Sequence, residues 1–273
     1  MLRIMFTKHL EGLDLQQIID GLLSAGMQGA DLCVRPGYPV NPENAAKALP
    51  EAAKRFADVG LAIPLVTSPG DFTRPDMDYA ESLYEACGKS GVKHIKLGYW
   101  HWRAGDDYWE MVKTCKGYLE GFQKLSEQTG VQSVVHNHSG QSMGLNSSAV
   151  MHLVDGFDPK HVGVFADAGH LSICGEPIEM ALNIVKGYVS VIALKDLYRQ
   201  RVVREGRSTW QIGVARMGEG FVDWVAALKA IDAIGFDGPV SFHSEYGGEP
   251  PESVLDLARV DVRYIDRVRG KSD

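Results

Sequence analysis

No run of apolar residues in this 273-residue chain approaches the roughly 18 that a membrane helix needs. Met1 leads almost directly into a short β-like segment, so the expected setting is the cytoplasm, with no membrane partner. Paired cysteines are missing as well. Cys33, Cys87, Cys115 and Cys174 lie far apart with no CxxC pair, which excludes a zinc knuckle and a disulfide frame and leaves buried, inert thiols. Basic charge is in deficit, 28 Lys and Arg against 35 Asp and Glu for a formal net charge of −7. A protein that tracks a nucleic-acid backbone concentrates Lys and Arg, so nucleic acid is excluded and a small molecule is the expected partner. No strand is followed by the GxGxxG phosphate turn, which disfavours an open dinucleotide-binding sheet. No charge block or low-complexity linker divides the chain.

What is present is a regular alternation. Short β-like runs fall at Arg3 to Phe6, Ala30 to Val34, Ala62 to Val66, His94 to Leu97, Ser133 to His136, Val162 to Ala166, Val189 to Leu194 and Val240 to His243. Helical periodicity fills the intervals: Leu15 to Ser24, Pro42 to Asp58, Met77 to Ser90, Tyr108 to Gln128, Ser147 to Val154, Ile178 to Lys186, Val222 to Ile234 and finally Glu252 to Val268. Gly26, Gly60, Gly91, Gly130 and Gly235 each close a helix just before a strand, where the backbone turns left-handed. Eight β-then-α units predict one α/β domain over 1–273, a single-domain (β/α)8 TIM barrel, with the doubly wound sheet as the alternative. Catalytic groups then belong at the C-terminal strand ends, on side chains that point inward.

Period two selects those side chains. Lys8 and Arg35 follow the first two strands in phase with inward residues; they suit an anionic or polyhydroxyl ligand, or are solvated charges. The fourth strand runs out in Lys96 and then Tyr99, Trp100, His101 and Trp102, an aromatic loop able to stack on a sugar ring, pack locally or meet another subunit. His136 and His138 share a phase at the fifth strand's end, where imidazoles ligate metal, orient hydroxyls or exchange protons. Asp167 emerges inward from an apolar sixth strand, with His170 three residues on. A carboxylate there needs a partner or a metal, and its reading as a helix N-cap is disfavoured because the next clear helix begins near Ile178. Lys195 points inward from the seventh strand while Asp196 does not; such a lysine can neutralise an enediolate, hold a substrate oxygen, form a Schiff base or simply pair with a carboxylate. Ser241, His243 and Glu245 share a phase in the eighth, making Glu245 a candidate metal ligand or general base. Gly218-Glu219-Gly220 reads as a structural turn.

In this order the rim residues resemble the sugar phosphate isomerase/epimerase superfamily of xylose isomerase-like TIM barrels, which also contains tagatose 3-epimerase, inosose dehydratase and endonuclease IV. The likeness spans nearly the whole chain. Members carry a metal-binding Glu ending strand five, Asp-x-x-His ending strand six, His-x-Lys-Asp in strand seven and Glu ending strand eight. The chain matches at Asp167 and His170, at Lys195 and Asp196, and offers Glu245. It departs at His136, in His-Asn-His-Ser-Gly, and at Ala193, where the metal His is expected. The resemblance implies a divalent metal, Mn²⁺ or Mg²⁺ ahead of Zn²⁺, held by His136, Asp167 and Glu245, with His243 replacing the missing imidazole. Alternatively Lys195 supplies the positive charge without metal.

The implied reaction removes a proton next to a carbonyl and leaves an enediolate that the metal or Lys195 stabilises. Returning the proton makes the chain a sugar or keto-sugar isomerase or epimerase; expelling a β-hydroxyl makes it a lyase, a dehydratase of the inosose type. Glu245 and a histidine, His136 or His138, would move the protons. His170 would touch a substrate oxygen, Lys8, Arg35 and Lys96 would bind peripheral hydroxyls or a carboxylate, and His138 and Trp100 would bind the rest of a sugar or polyol. A Schiff-base aldolase at Lys195, a noncatalytic sugar-binding barrel and a homo-oligomer stay open, whereas the trinuclear zinc chemistry of the nuclease lacks its ligands here.

Overall fold

Buried strands of three to six residues, each followed by a helix with one apolar face, can cover both faces of a parallel sheet only by curling it closed. The computed structural model, which describes residues 1–270, has that architecture; positions 271–273 of the expected domain lie outside the described residues. The barrel strands are β1 (Leu2–Phe6), β2 (Gly29–Cys33), β3 (Ala62–Thr67), β4 (His94–Lys96), β5 (Gln132–His136), β6 (Val162–Asp167) and β7 (Val189–Leu194). A two-stranded hairpin, β8 (Asp196–Arg204) and β9 (Arg207–Ala215), precedes the last barrel strand, β10 (Pro239–Phe242). All eight barrel pairings are parallel, and the ring closes in the order β1-β10-β7-β6-β5-β4-β3-β2.

Helices α1 (Leu15–Ser24), α2 (Ala45–Asp58), α3 (Ala80–Lys89), α4 (Tyr108–Thr129), α5 (Ser147–Val154), α6 (Ala168–Ile173), α7 (Ile178–Val185), α8 (Trp224–Ala233) and α9 (Pro251–Val268) form the outer layer. The five glycines expected as helix stops all have φ between 65° and 79°, the left-handed backbone that favours a residue without Cβ. The core divides in two. One part fills the space between strands and helices; the other, Ile4, Leu65, Val134, Phe165, Val191 and Ala193, plugs the barrel and floors its mouth. Among the described residues no helix is long and apolar enough to cross a membrane. Cys33, Cys87 and Cys115 are buried free thiols, and burial pushes Cys33 and Cys115 up to about 12.

Two elements were not legible in the sequence pattern. The hairpin carries exposed polar residues on both faces, so alternation gives it no inward side. Its turn, Glu205-Gly206, has φ of 49° and 73°, the double left-handed backbone of a type I′ turn. Helix α6 begins directly at Ala168, which corrects the expectation that the next helix starts near Ile178. Asp167 is its N-cap: Oδ1 accepts from the His170 N–H at 3.0 Å. Six residues are too few to display helical periodicity.

The Gly218–Gly220 turn is structural, as expected, and Asp196 organises it. Turned away from the barrel axis, the Asp196 carboxylate accepts from the N–H groups of Gly218, Gly220 and Val222 and from the Trp224 indole.

Candidate active site and metal centre

The strand ends converge on a cavity of about 170 Å³ at the C-terminal mouth. Its walls include Lys8, Arg35, Lys96, Lys195 and Glu245, with the rings of His136, His138, His243 and Tyr99. Three side chains meet more closely. One donor atom each from His136, Asp167 and His243 lies within 4.8 Å of the others, all buried. Asp167 Oδ2 stands 3.3 Å from His136 Nε2 and 3.7 Å from His243 Nδ1. None of these three atoms has a hydrogen-bond partner among the described residues.

Two of the remaining polar atoms of this group are held from behind, and the third, His243 Nε2, faces a carboxylate without a hydrogen bond among the described residues. Asp167 Oδ1 is occupied by the α6 cap, which leaves Oδ2 facing the imidazoles. His136 Nδ1 lies 2.8 Å from the Tyr99 hydroxyl, so Nε2 is the free nitrogen. His243 Nε2 lies 3.5 Å from Asp31 Oδ2, and Asp31 is in turn fixed by the hydroxyls of Thr67 at 2.5 Å and Ser241 at 2.9 Å. Buried, unsatisfied donors and acceptors are costly, and three of them aimed at one point form a cradle for a cation. The residues present therefore fit a divalent metal: two imidazole nitrogens and a carboxylate oxygen, with further positions left for water or substrate. Ala193 pairs in register with Asp167 and turns its methyl into the barrel plug; the second imidazole comes instead from His243 at the end of β10.

Glu245, expected among the metal ligands, stands beside the converging trio of His136, Asp167 and His243 rather than within it. Strand β10 ends at Phe242, and a tight turn bonds Glu245 N to His243 O. The carboxylate swings to Lys195, 2.5 Å from Oε1, and Lys8, 2.8 Å from Oε2, while staying 3.4 Å from His243 Nδ1. Burial favours its neutral form, yet Lys195, His243 and Lys8 outweigh this and hold Glu245 well below the usual carboxylate range. Lys195 is reciprocally raised: burial opposes its charge, and Glu245 and Asp167 more than compensate.

The Glu245 loop is braced by α9. Asp261 accepts from Ser244 Oγ at 2.6 Å and from the Tyr246 hydroxyl, the neighbours on either side of Glu245. Asp261→Ala would strand two buried hydroxyls, and urea denaturation is expected to show a loss of about 2–3 kcal/mol.

Two further expectations are corrected or refined. Trp100 does not line the cavity; its indole donates to the Thr73 carbonyl at 3.0 Å and its ring packs in the outer core. The preceding Tyr99 takes the wall position, because the chain leaves β4 at Lys96 and the loop no longer alternates. His170 sits behind the wall, its ring 3.9 Å from that of His138 and its Nε2 3.4 Å from Lys195 Nζ. Asp31 is the residue that sequence reading missed, and Tyr99, read only as one member of the aromatic loop, is the ring of that loop that lines the cavity. Asp31 carried the signal used for Asp167, an inward carboxylate in a buried strand.

Burial lowers His9, His94, His136, His138 and His170, His138 to about 4. His243 is raised, because Asp31, Glu245 and Asp167 overcome its burial. A histidine held neutral in the fold adds stability above its ordinary value of 6.5, lost as acid protonates the unfolded chain first. His243 works oppositely, its contribution being lost as pH rises through its raised value. Five histidines and Glu245, all held below their ordinary values, outweigh His243 and Asp261, the latter raised to about 6 by burial. The melting temperature is therefore expected to fall as pH drops from 6.5 toward about 4, measured by calorimetry.

A carboxylate and two imidazoles converge at the mouth of an eight-stranded parallel barrel, a donor set that fits a divalent ion. The chain belongs to the family described as xylose isomerase-like TIM barrel, whose pattern it matches over residues 19–263. The inosose dehydratase of Lacticaseibacillus casei is 25% identical over 252 residues, covering 84% of this chain and 82% of that protein. An IolI protein solved with a bound zinc atom superposes with a TM-score of 0.79 at 18% identity, over 98% of this chain and 99% of that one. The 3-keto-D-glucoside 4-epimerase of E. coli superposes at 0.73 with 13% identity, over 98% and 99%. These two structural likenesses speak to the fold alone.

Proposed function

We propose that this chain is a dehydratase acting on a small keto-polyol. The observation that carries the reading is that Glu245 is the one carboxylate among the described residues lining the cavity, amid nitrogen donors. Epimerisation takes a proton from one face of a carbon and returns it to the other, which calls for two opposed bases. A syn elimination needs one. Glu245 takes the proton next to the carbonyl, the electron pair moves toward the carbonyl oxygen, and the same carboxyl then protonates the β-hydroxyl as it leaves as water and the carbon–carbon double bond forms. Lys195 donates to the developing oxyanion; as it turns to the substrate, Glu245 loses part of the charge that keeps it weakly basic.

A divalent ion held by His136, Asp167 and His243 would supply Lewis-acid polarisation of a substrate oxygen. Two imidazoles suit zinc better than magnesium, which prefers oxygen ligands. The similarity to inosose dehydratases supports the reaction class. The isomerase or epimerase reading ranks second, favoured by His138, whose neutral ring at the cavity wall can serve as another base. Incubating the zinc-supplemented protein with an inosose and following conjugated-carbonyl absorbance tests the proposal. Growth of that band is expected; an unchanged spectrum accompanied by a new stereoisomer would favour the second reading.

A further inference from the structure

We propose that the cavity offers a carboxylate subsite at Lys96 and Arg35, so that a keto-polyol bearing a carboxylate is held more tightly than a neutral one such as an inosose. The inference rests on reading this cavity as the substrate site. Four cationic side chains line it: Lys8, Arg35, Lys96 and Lys195. Lys195 and Lys8 share the single negative charge of Glu245, which accepts from both. The other two have no such partner. Lys96 is only 2% exposed, its ammonium meets no acceptor, and it rests over the Tyr99 ring, 3.5 Å from the centroid. Arg35 Nε is likewise buried without an acceptor, and neither residue forms an ion pair among the described residues.

A buried ammonium without a counter-charge is disfavoured, and burial together with Arg35 beside it lowers Lys96 to about 7; an anion seated between the two would offset that cost and hold Lys96 in its charged form. Asp31 offsets part of this charge, but its oxygens are committed to Thr67 and Ser241. Neutral hydroxyls would satisfy hydrogen bonds and leave the charge uncompensated. A planar carboxylate satisfies both and matches the guanidinium fork. Size sets the scale of the ligand: a cavity of about 170 Å³ lies below the range of about 300–1,000 Å³ usual for drug-sized ligands and suits a compact molecule.

The test is calorimetric binding of D-glucuronate and D-galacturonate beside D-glucose and D-galactose to the zinc-supplemented protein, with inorganic phosphate as competitor. Each uronate is expected to bind about tenfold or more tightly than its parent sugar, and both Lys96→Met and Arg35→Met to erase that advantage. Arg35, at the rim, provides a variant that leaves the barrel interior untouched. Equal binding of acid and parent sugar, no uronate binding at millimolar concentration, or an advantage surviving in both variants would overturn the proposal. Phosphate competing as strongly as the uronate would overturn the carboxylate assignment. Because binding is read without turnover, a protein that prefers uronates yet dehydrates nothing would count against the proposed reaction and leave the carboxylate subsite standing.

Discussion

Asp167→Asn is expected to abolish divalent-metal binding while the barrel stays folded. The asparagine keeps an oxygen where Asp167 Oδ1 accepts from His170 N–H, so the α6 cap survives. It places an amide where Oδ2 faces His136 Nε2 and His243 Nδ1, replacing the only anionic donor of the trio. Disturbing a residue behind a metal ligand commonly costs 10–100-fold in affinity, so loss of a charged ligand itself should weaken zinc binding by at least about a hundredfold. Isothermal titration with Zn²⁺ reads the loss, and circular dichroism checks the fold. Metal content equal to that of the unaltered protein would remove Asp167 from the ligand set. Asp31→Asn is expected to give a smaller loss, because it weakens only the partner behind His243.

Glu245→Gln is expected to slow solvent-deuterium incorporation next to the substrate carbonyl by about 10²–10⁴-fold, the range a positioned general base contributes. The substitution preserves size and one acceptor, and Asp261 still braces the loop through Ser244 and Tyr246. What disappears is the anionic oxygen poised between Lys195 and Lys8. Zinc affinity should change far less than in Asp167→Asn, since Glu245 lies outside the trio that converges on one point. Full deuterium incorporation by the variant would move the proton to another group, with His138 next in line at the cavity wall.

The barrel was readable because its two periodicities are local and repeated: strand runs punctuated by Gly26, Gly60, Gly91, Gly130 and Gly235 mark the αβ joints wherever they occur. The inward positions of Asp167 and His136 followed from strand phase, since both end strands that remain regular to their last residue. Past the strand ends phase held unevenly. Trp100 lies four residues past the end of β4 and loop geometry set its direction, whereas Glu245, three past the end of β10, still reaches the cavity as its phase predicts. The β8–β9 hairpin was silent for another reason, because a ribbon exposed on both faces imposes no alternation. Asp31 was missed although its position carried the same signal as Asp167; its meaning depends on His243, which only the closed barrel brings beside it.

Proton NMR in D₂O of an inosose incubated with the zinc-supplemented protein measures both halves of the proposed reaction in one sample. The account requires the signal next to the carbonyl to vanish together with the neighbouring carbinol signal, as water leaves across that bond. Deuterium entering at that carbon while every hydroxyl-bearing carbon persists, with a stereoisomer accumulating, would contradict it.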